Sequence, residues 1–358
     1  MAPHAYALLN IDGTRNQVFV FGTVTVGFDS NIFSSSANSS DYIYSAVVGA
    51  TLKRHAGIIS VNSSATFERQ QFARNKTLSA WNPNYNIEFN KTIGRTTGAF
   101  TISAFRSARA DSAVNLRTQT WNFPLGLNVK YPINDNLYVT SSTSYLNRRY
   151  SGGSGLVNYA DYGESFDVYY VYSSKTDLVF GFRYRVGHTD LDTSTDQALS
   201  FGLVNEIIPK LNGTLRAGVQ RRTQSSLPGK HFDQITISTQ LTWQASRKFS
   251  MSLAVSRDFT TSAIGGTVDS LTAQVRALYD INRRHHLNGG VGYGRNRFLG
   301  SISGGRRDDF FTWDVGYQLH WNEHLQIGIS YNYLHNWSTL SFSDFEKYGY
   351  SIDLTSRY

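Results

Sequence analysis

The chain has 358 residues, 34 Lys and Arg against 26 Asp and Glu for a net charge of +8, and no cysteine. The absence of cysteine excludes disulfides and thiolate metal sites without excluding an oxidising compartment. No run of about 18 apolar residues exists, so no transmembrane helix is predicted, and the basic residues are too scattered for a nucleic-acid patch.

At the start, Met1 to Tyr6 lacks an apolar signal core. The expectation is a cleaved export signal, a Met1 introduced for expression, a periplasmic segment over 1–16, and one β-domain over 17–358. From residue 42 onward the dominant pattern is period two. Tyr42, Tyr44, Ala46, Val48, Ala50 and Leu52 fall on one parity. Trp121, Phe123, Leu125, Leu127, Val129 and Tyr131 do the same, opposite Asn122, Pro124, Gly126, Asn128 and Lys130. The pattern recurs over 178–187, 271–280, 311–321, 325–333 and 348–358, in segments of about ten residues. It is unclear over 17–28, 97–109 and 198–208. Successive strand residues face opposite sides, so each segment has one greasy face and one polar face. Both faces of a soluble propeller or sandwich are usually covered, which disfavours those folds.

Between the segments, eight short turns alternate with nine longer Ser-, Asn-, Gly- and Asp-rich loops. Seventeen connections join eighteen strands; sixteen would also fit. The predicted fold is an all-β, transmembrane, antiparallel up-and-down β-barrel with short periplasmic turns and longer extracellular loops, lipid outside and water inside. Tyr42, Tyr44, Trp121, Tyr131, Trp243, Trp313, Trp321 and Tyr333 sit near segment ends, as interface girdles require. Inward positions include many small polar residues, among them Ser60, Asn62, Ser64 and Thr66, and Gly290, Gly292 and Gly294. A barrel of this size is too wide for side chains alone to fill.

Parity also sends charges inward. Arg183, Arg185, Arg216, Arg222, Arg276 and Lys130 are candidate pore-lining bases, and Asp167, Asp258, Asp280 and Asp314 are candidate acids. Opposed basic and acidic walls would tune selectivity; pairing between neighbouring strands would instead stiffen the wall. The Arg183 and Arg185 stripe could hold an anionic solute. No cofactor, metal site or catalytic set is assigned. His285 and His286 are adjacent and would point to opposite faces. His188 with Asp190 and Asp192, and His335 with Asn336, read as rim residues, so no enzyme is expected.

Gly27-Phe28-Asp29-Ser30-Asn31-Ile32-Phe33, then Asp41 and Gly49, resemble the opening of a family of bacterial outer-membrane porin-like β-barrels, often encoded with exopolysaccharide-synthesis genes. Tyr331-Asn332-Tyr333, Ser338 and Tyr348-Gly349-Tyr350 resemble its final hairpin, and the terminal Tyr358 stands where Phe is more usual. The resemblance implies the outer membrane of a Gram-negative bacterium and a role in passing or exporting a polar solute or polysaccharide. It supplies no catalytic residues. The expected partners are outer-membrane lipids, a polysaccharide or small anionic solute, and a protein of an export system. The alternative is a structural or docking barrel whose lumen holds a loop or a partner.

Overall fold

The computed structural model describes residues 9–11, 16–111, 114–152, 155–300 and 305–358. Most of the predicted 1–16 segment and parts of three long loops lie outside these residues.

Nineteen strands form one antiparallel sheet. They are β1 (Leu9–Ile11), β2 (Asn16–Asp29), β3 (Asp41–Ala56), β4 (Ile59–Phe72), β5 (Ala80–Lys91), β6 (Thr97–Asp111), β7 (Leu116–Asn134), β8 (Leu137–Tyr150), β9 (Tyr159–Val171) and β10 (Thr176–Thr189). The rest are β11 (Thr193–Ile208), β12 (Leu211–Gln224), β13 (His231–Trp243), β14 (Phe249–Thr261), β15 (Thr267–Asp280), β16 (His285–Leu299), β17 (Arg307–His320), β18 (Leu325–Ser338) and β19 (Phe345–Arg357). Each of β2 to β19 pairs with its sequence neighbour, and β19 returns to β2 from Gly349↔Asp29 to Arg357↔Phe21. The barrel is therefore closed, with eighteen wall strands. Closure is what hydrocarbon demands, since an open edge would leave backbone groups without partners. Short β1 pairs with Asn16–Val18, on the stretch of β2 that β19 does not reach.

The wall strands run from 12 to 19 residues, longer than the ten-residue apolar pattern. Eight short turns lie at the end where β2 begins and β19 finishes. One of the tightest joins Ala56 to Ile59, with Gly57 at a φ of +62°, the left-handed conformation that two-residue hairpins need.

Registers place the predicted greasy positions outward. Val24, Val48, Phe180, Val219, Val291 and Ile352 are all more than half exposed to what surrounds the barrel. The girdle residues split into two belts along the strands. Tyr42, Tyr44, Trp121, Trp313 and Tyr333 lie toward the loop end; Tyr131, Trp243 and Trp321 lie toward the turn end. The ambiguous stretch over 17–28 also resolves. On β2, Phe19 and Phe21 face inward opposite Thr51 and Gly49, which blurred the pattern. A side chain at Gly49 would collide with the Phe21 ring, so this glycine makes room for an inward aromatic.

One lipid-facing position is an exception. Glu164 shares its face with Tyr162 and Phe166, and its carboxylate accepts hydrogen bonds from Ser141 Oγ (2.7 Å) and Thr143 Oγ1 (2.6 Å). An ionisable group on this face is costly unless its acceptors are filled.

Two ladders stop early, both on the loop side. β5 and β6 pair only from Asn84↔Phe105 to Lys91↔Gly98. Pro83 stands where the ladder ends, and proline has no N–H to donate. β13 and β14 pair only from Ile237↔Arg257 to Trp243↔Met251. The Phe259 ring, 1% exposed, packs there against Phe232.

Candidate functional site: a charged belt in the lumen

Six of the ten predicted lumen charges converge on one sector of the wall. Arg183 and Arg185 lie on β10, Arg216 and Arg222 on β12, Asp167 on β9 and Asp258 on β14. Arg183 Nη2 donates to Asp258 Oδ1 at 2.9 Å. Arg185 reaches Asp258 Oδ2 (3.2 Å) and Asp196 Oδ2 (2.5 Å). Arg222 grips Asp196 with two prongs, Nε to Oδ1 at 2.5 Å and Nη2 to Oδ2 at 2.6 Å. Arg216 Nη1 donates to Asp167 Oδ2 at 3.0 Å. Asp196 on β11 was not singled out in the sequence, although it has the inward parity of its strand. Asp161 on β9 is a second acid of this sector, opposite Gly187. The geometry is lateral pairing on one wall rather than two opposed walls.

The other four candidates lie elsewhere. Lys130 sits 3.7 Å above the Tyr138 ring. Tyr138 stacks on Tyr169 (4.5 Å, 9°), and Arg216 covers the far side at 5.7 Å while donating to the Tyr169 hydroxyl (2.6 Å). This cation–ring–ring–cation pile holds Arg216 in place. Arg276 pairs with Asp314 at 3.3 Å across β16. Asp280 meets His286 Nδ1 at 2.6 Å near the turns.

One arginine of the belt also closes the gap between β13 and β14, and a second bonds β14 beside it. Arg185 Nη2 donates to the Phe259 carbonyl (2.6 Å) and Arg222 Nη1 to the Thr260 carbonyl (3.1 Å). The Phe259 carbonyl faces the stretch of β13 that has no ladder, and a buried carbonyl needs a donor; the Thr260 carbonyl faces β15, where Thr260 stands opposite Val268. The β5–β6 gap is closed in the same way. Arg106 Nη1 donates to the Trp81 carbonyl (3.2 Å), and Arg117 Nη2 to the Ala108 carbonyl (2.7 Å) and Gln70 Oε1 (2.5 Å).

Loops narrow the mouth above the belt. The 262–266 loop crosses to the 151–158 loop, where Val157 N–H donates to the Ala263 carbonyl (2.9 Å), and both side chains are buried. On another side Asn115 Nδ2 donates to the Ser34 carbonyl (2.6 Å), and Ser343 Oγ donates to Asn115 Oδ1 (2.5 Å). Beside the belt lies a recess of about 370 Å³, lined by Ser142, Ser165, Ser200, Thr236, Ser238 and Gln240 together with Asp167, Arg183 and Arg216.

The candidate histidines do not gather into one set, though the His286 ring meets His320 at 4.8 Å. His285 meets the Tyr317 hydroxyl outside the wall (2.5 Å), while His286 faces inward. His188 Nδ1 lies 2.8 Å from Thr193 Oγ1, and Asp192 is bound instead by Ser225 and Ser226 (2.7 Å each). His335 stacks on Trp337, while Asn336 donates to the Ser343 carbonyl.

Residues 188–358 match the model of the family described as "Putative beta-barrel porin 2". Among solved structures, the outer membrane protein OpdK from Pseudomonas aeruginosa is similar at a TM-score of 0.52 and 12% identity, covering 96% of this chain and 99% of that one. OpdK from Pseudomonas aeruginosa has also been crystallised with vanillate; that structure is similar at 0.51 and 12%, covering 95% and 99%. OccAB3 from Acinetobacter baumannii is similar at 0.51 and 11%, covering 96% and 99%. No curated protein matches.

Proposed function

We propose that this chain, a porin-like β-barrel of the outer membrane, is a passive channel for small polar solutes that selects by size and hydrogen bonding more than by charge. The carrying observation is the balance of the belt. Arg183, Arg185, Arg216 and Arg222 stand among Asp161, Asp167, Asp196 and Asp258, four bases and four acids, within hydrogen-bonded pairs or in the same sector. A paired belt projects little net field into the lumen. The hydroxyls and amides beside it offer donors and acceptors to a neutral, hydroxylated solute. A sugar chain presents the same chemistry, so export of a polysaccharide is an extension of this reading; a small anion would call for a surplus of base.

The test is single-channel recording in planar bilayers under a salt gradient, with neutral sugars and small organic anions added in turn. The expected result is a conducting pore with a weak ion preference that a neutral sugar blocks. A barrel that does not conduct, or one with strong anion selectivity, overturns the reading.

A further inference from the structure

Outside the loop-side girdle, the outward face of β14 to β17 changes from apolar to charged. Tyr293 marks the change, because its hydroxyl donates to Asp309 Oδ1 at 2.8 Å. Asp309 also accepts from Arg295 Nε (2.6 Å) and Arg307 Nε (2.8 Å). One dyad further out, Arg297 stands directly opposite Arg307 on β17 and opposite Asp269 on β15. Asp269 is already held by Arg257, through Nε at 3.1 Å and Nη2 at 2.9 Å. Arg257, Arg295, Arg297 and Arg307 thus share only Asp269 and Asp309, which leaves two positive charges over.

Like charges directly opposite each other destabilise a sheet. Among the described residues Arg297 has no acid left to pair with, and it is exposed. It lies four residues beyond Tyr293, about 13 Å along the strand and less in height because barrel strands tilt. That is the layer just outside the hydrocarbon. Trp337, paired with Asp309 and 46% exposed, stands at the same level, where amphipathic rings anchor. Two arginines at one cross-strand position, facing a headgroup layer, match a dianion with several oxygens.

We propose that Arg297 and Arg307 form a site for the phosphomonoester headgroup of an outer-leaflet lipid. The lipid would relieve the repulsion between the two arginines and fix the barrel's depth in the membrane.

The folded barrel in detergent is titrated with bisphosphorylated lipid A, with the same glycolipid after dephosphorylation, and with inorganic phosphate, following the heat-unfolding midpoint. Phosphorylated lipid A should raise the midpoint and the dephosphorylated lipid should not. The double variant R297Q/R307Q should bind lipid A about tenfold more weakly. If the double variant does not fold, R297Q alone serves, since among the described residues that side chain makes no hydrogen bond or ion pair. Arg221, an exposed arginine of the same collar, has its own partner Asp233 at 2.7 Å, so R221Q should bind like the parent chain. Unchanged binding by the Arg297 variants overturns the proposal. So does an equal loss in R221Q, which would mean general attraction to a basic surface. Inorganic phosphate as effective as the lipid at equal concentration would assign the site to a free ion and overturn the lipid.

Discussion

Replacing Arg222 with methionine keeps an unbranched apolar stem and removes two kinds of bond. Arg222 is 1% exposed, and Asp196 beneath it is 2% exposed. The variant leaves Asp196 with Arg185 alone and leaves the Thr260 carbonyl without the guanidinium that bonds it at 3.1 Å. Removing one partner of a buried ion pair costs about 3–5 kcal/mol, while the Thr260 carbonyl keeps its place opposite Val268 in the β14–β15 ladder. Because Arg185 still holds Asp196, the loss should fall near the low end, about 3 kcal/mol. At about 1.4 kcal/mol per decade, the population with an open β13–β14 gap rises about a hundredfold. Hydrogen exchange of amides 232–236 and 257–261, in detergent at fixed pH, reads that population. Arg216→Met is the comparator, since Arg216 pairs with Asp167 and Tyr169 but touches no carbonyl of the gap. The reasoning fails if Arg222→Met exchanges at the parent rate in these segments, or if Arg216→Met opens them equally.

Asp258→Asn should leave Arg183 and part of Arg185 uncompensated and shift the zero-current potential toward anions; a shift toward cations would refute the pairing scheme. Glu164→Gln keeps an acceptor for Ser141 and Thr143 but removes a lipid-facing charge. It should stabilise the barrel against urea in vesicles by on the order of 1 kcal/mol, and a destabilised variant would mean that the carboxylate serves a contact. In the 190–192 loop, burial pushes the Asp192 carboxyl up, but hydrogen bonds from the Ser225 and Ser226 hydroxyls and the Ser226 and Thr193 amides outweigh it and hold it below the ordinary carboxylate value. A folded value below the unfolded one means that the charged form stabilises the loop. That stabilisation is complete above the ordinary carboxylate range and is lost as pH falls through the depressed value. Proteolysis of the 225–230 loop should therefore accelerate only in acid, and Asp192→Asn should abolish the pH dependence.

The parity of side chains was readable because lipid and water impose opposite demands on neighbouring residues, as at Trp313 and Asp314. Strand count was readable because turn residues punctuate it. The same parity sent Arg183, Arg185, Arg216 and Arg222 inward. It could not say which acids they meet. Arg185 and Asp258 are 73 residues apart in sequence, and their meeting depends on the registers of the intervening ladders. Period two is blind to such offsets, and Asp196 was passed over although it is the most buried acid of the belt. The gaps were hidden for a related reason. Pro83 announces one of them, but it reads as an ordinary edge residue until the strand beside it is known, and nothing in residues 231–236 announces the other.

The two gaps clarify why so much arginine stands in this barrel. A carbonyl that loses its ladder partner within a membrane wall has no water to turn to, and a neutral side chain offers one or two donors at short reach. Guanidinium offers five donors on a long stem, enough to satisfy an acid and a carbonyl at once, as Arg185 and Arg222 do. Arg106 and Arg117 bond carbonyls at the other gap. An arginine that serves the wall must bring a counter-charge with it, since an unpaired buried charge costs more than the bond it makes. Paired charges in the lumen are then a consequence of mending the wall. Selectivity has to be read from variants that alter charge without reaching the backbone of a gap, which makes Asp167 and Arg216 better probes of permeation than Arg185, Arg222 or Asp258, whose carboxylate accepts from the Phe259 N–H.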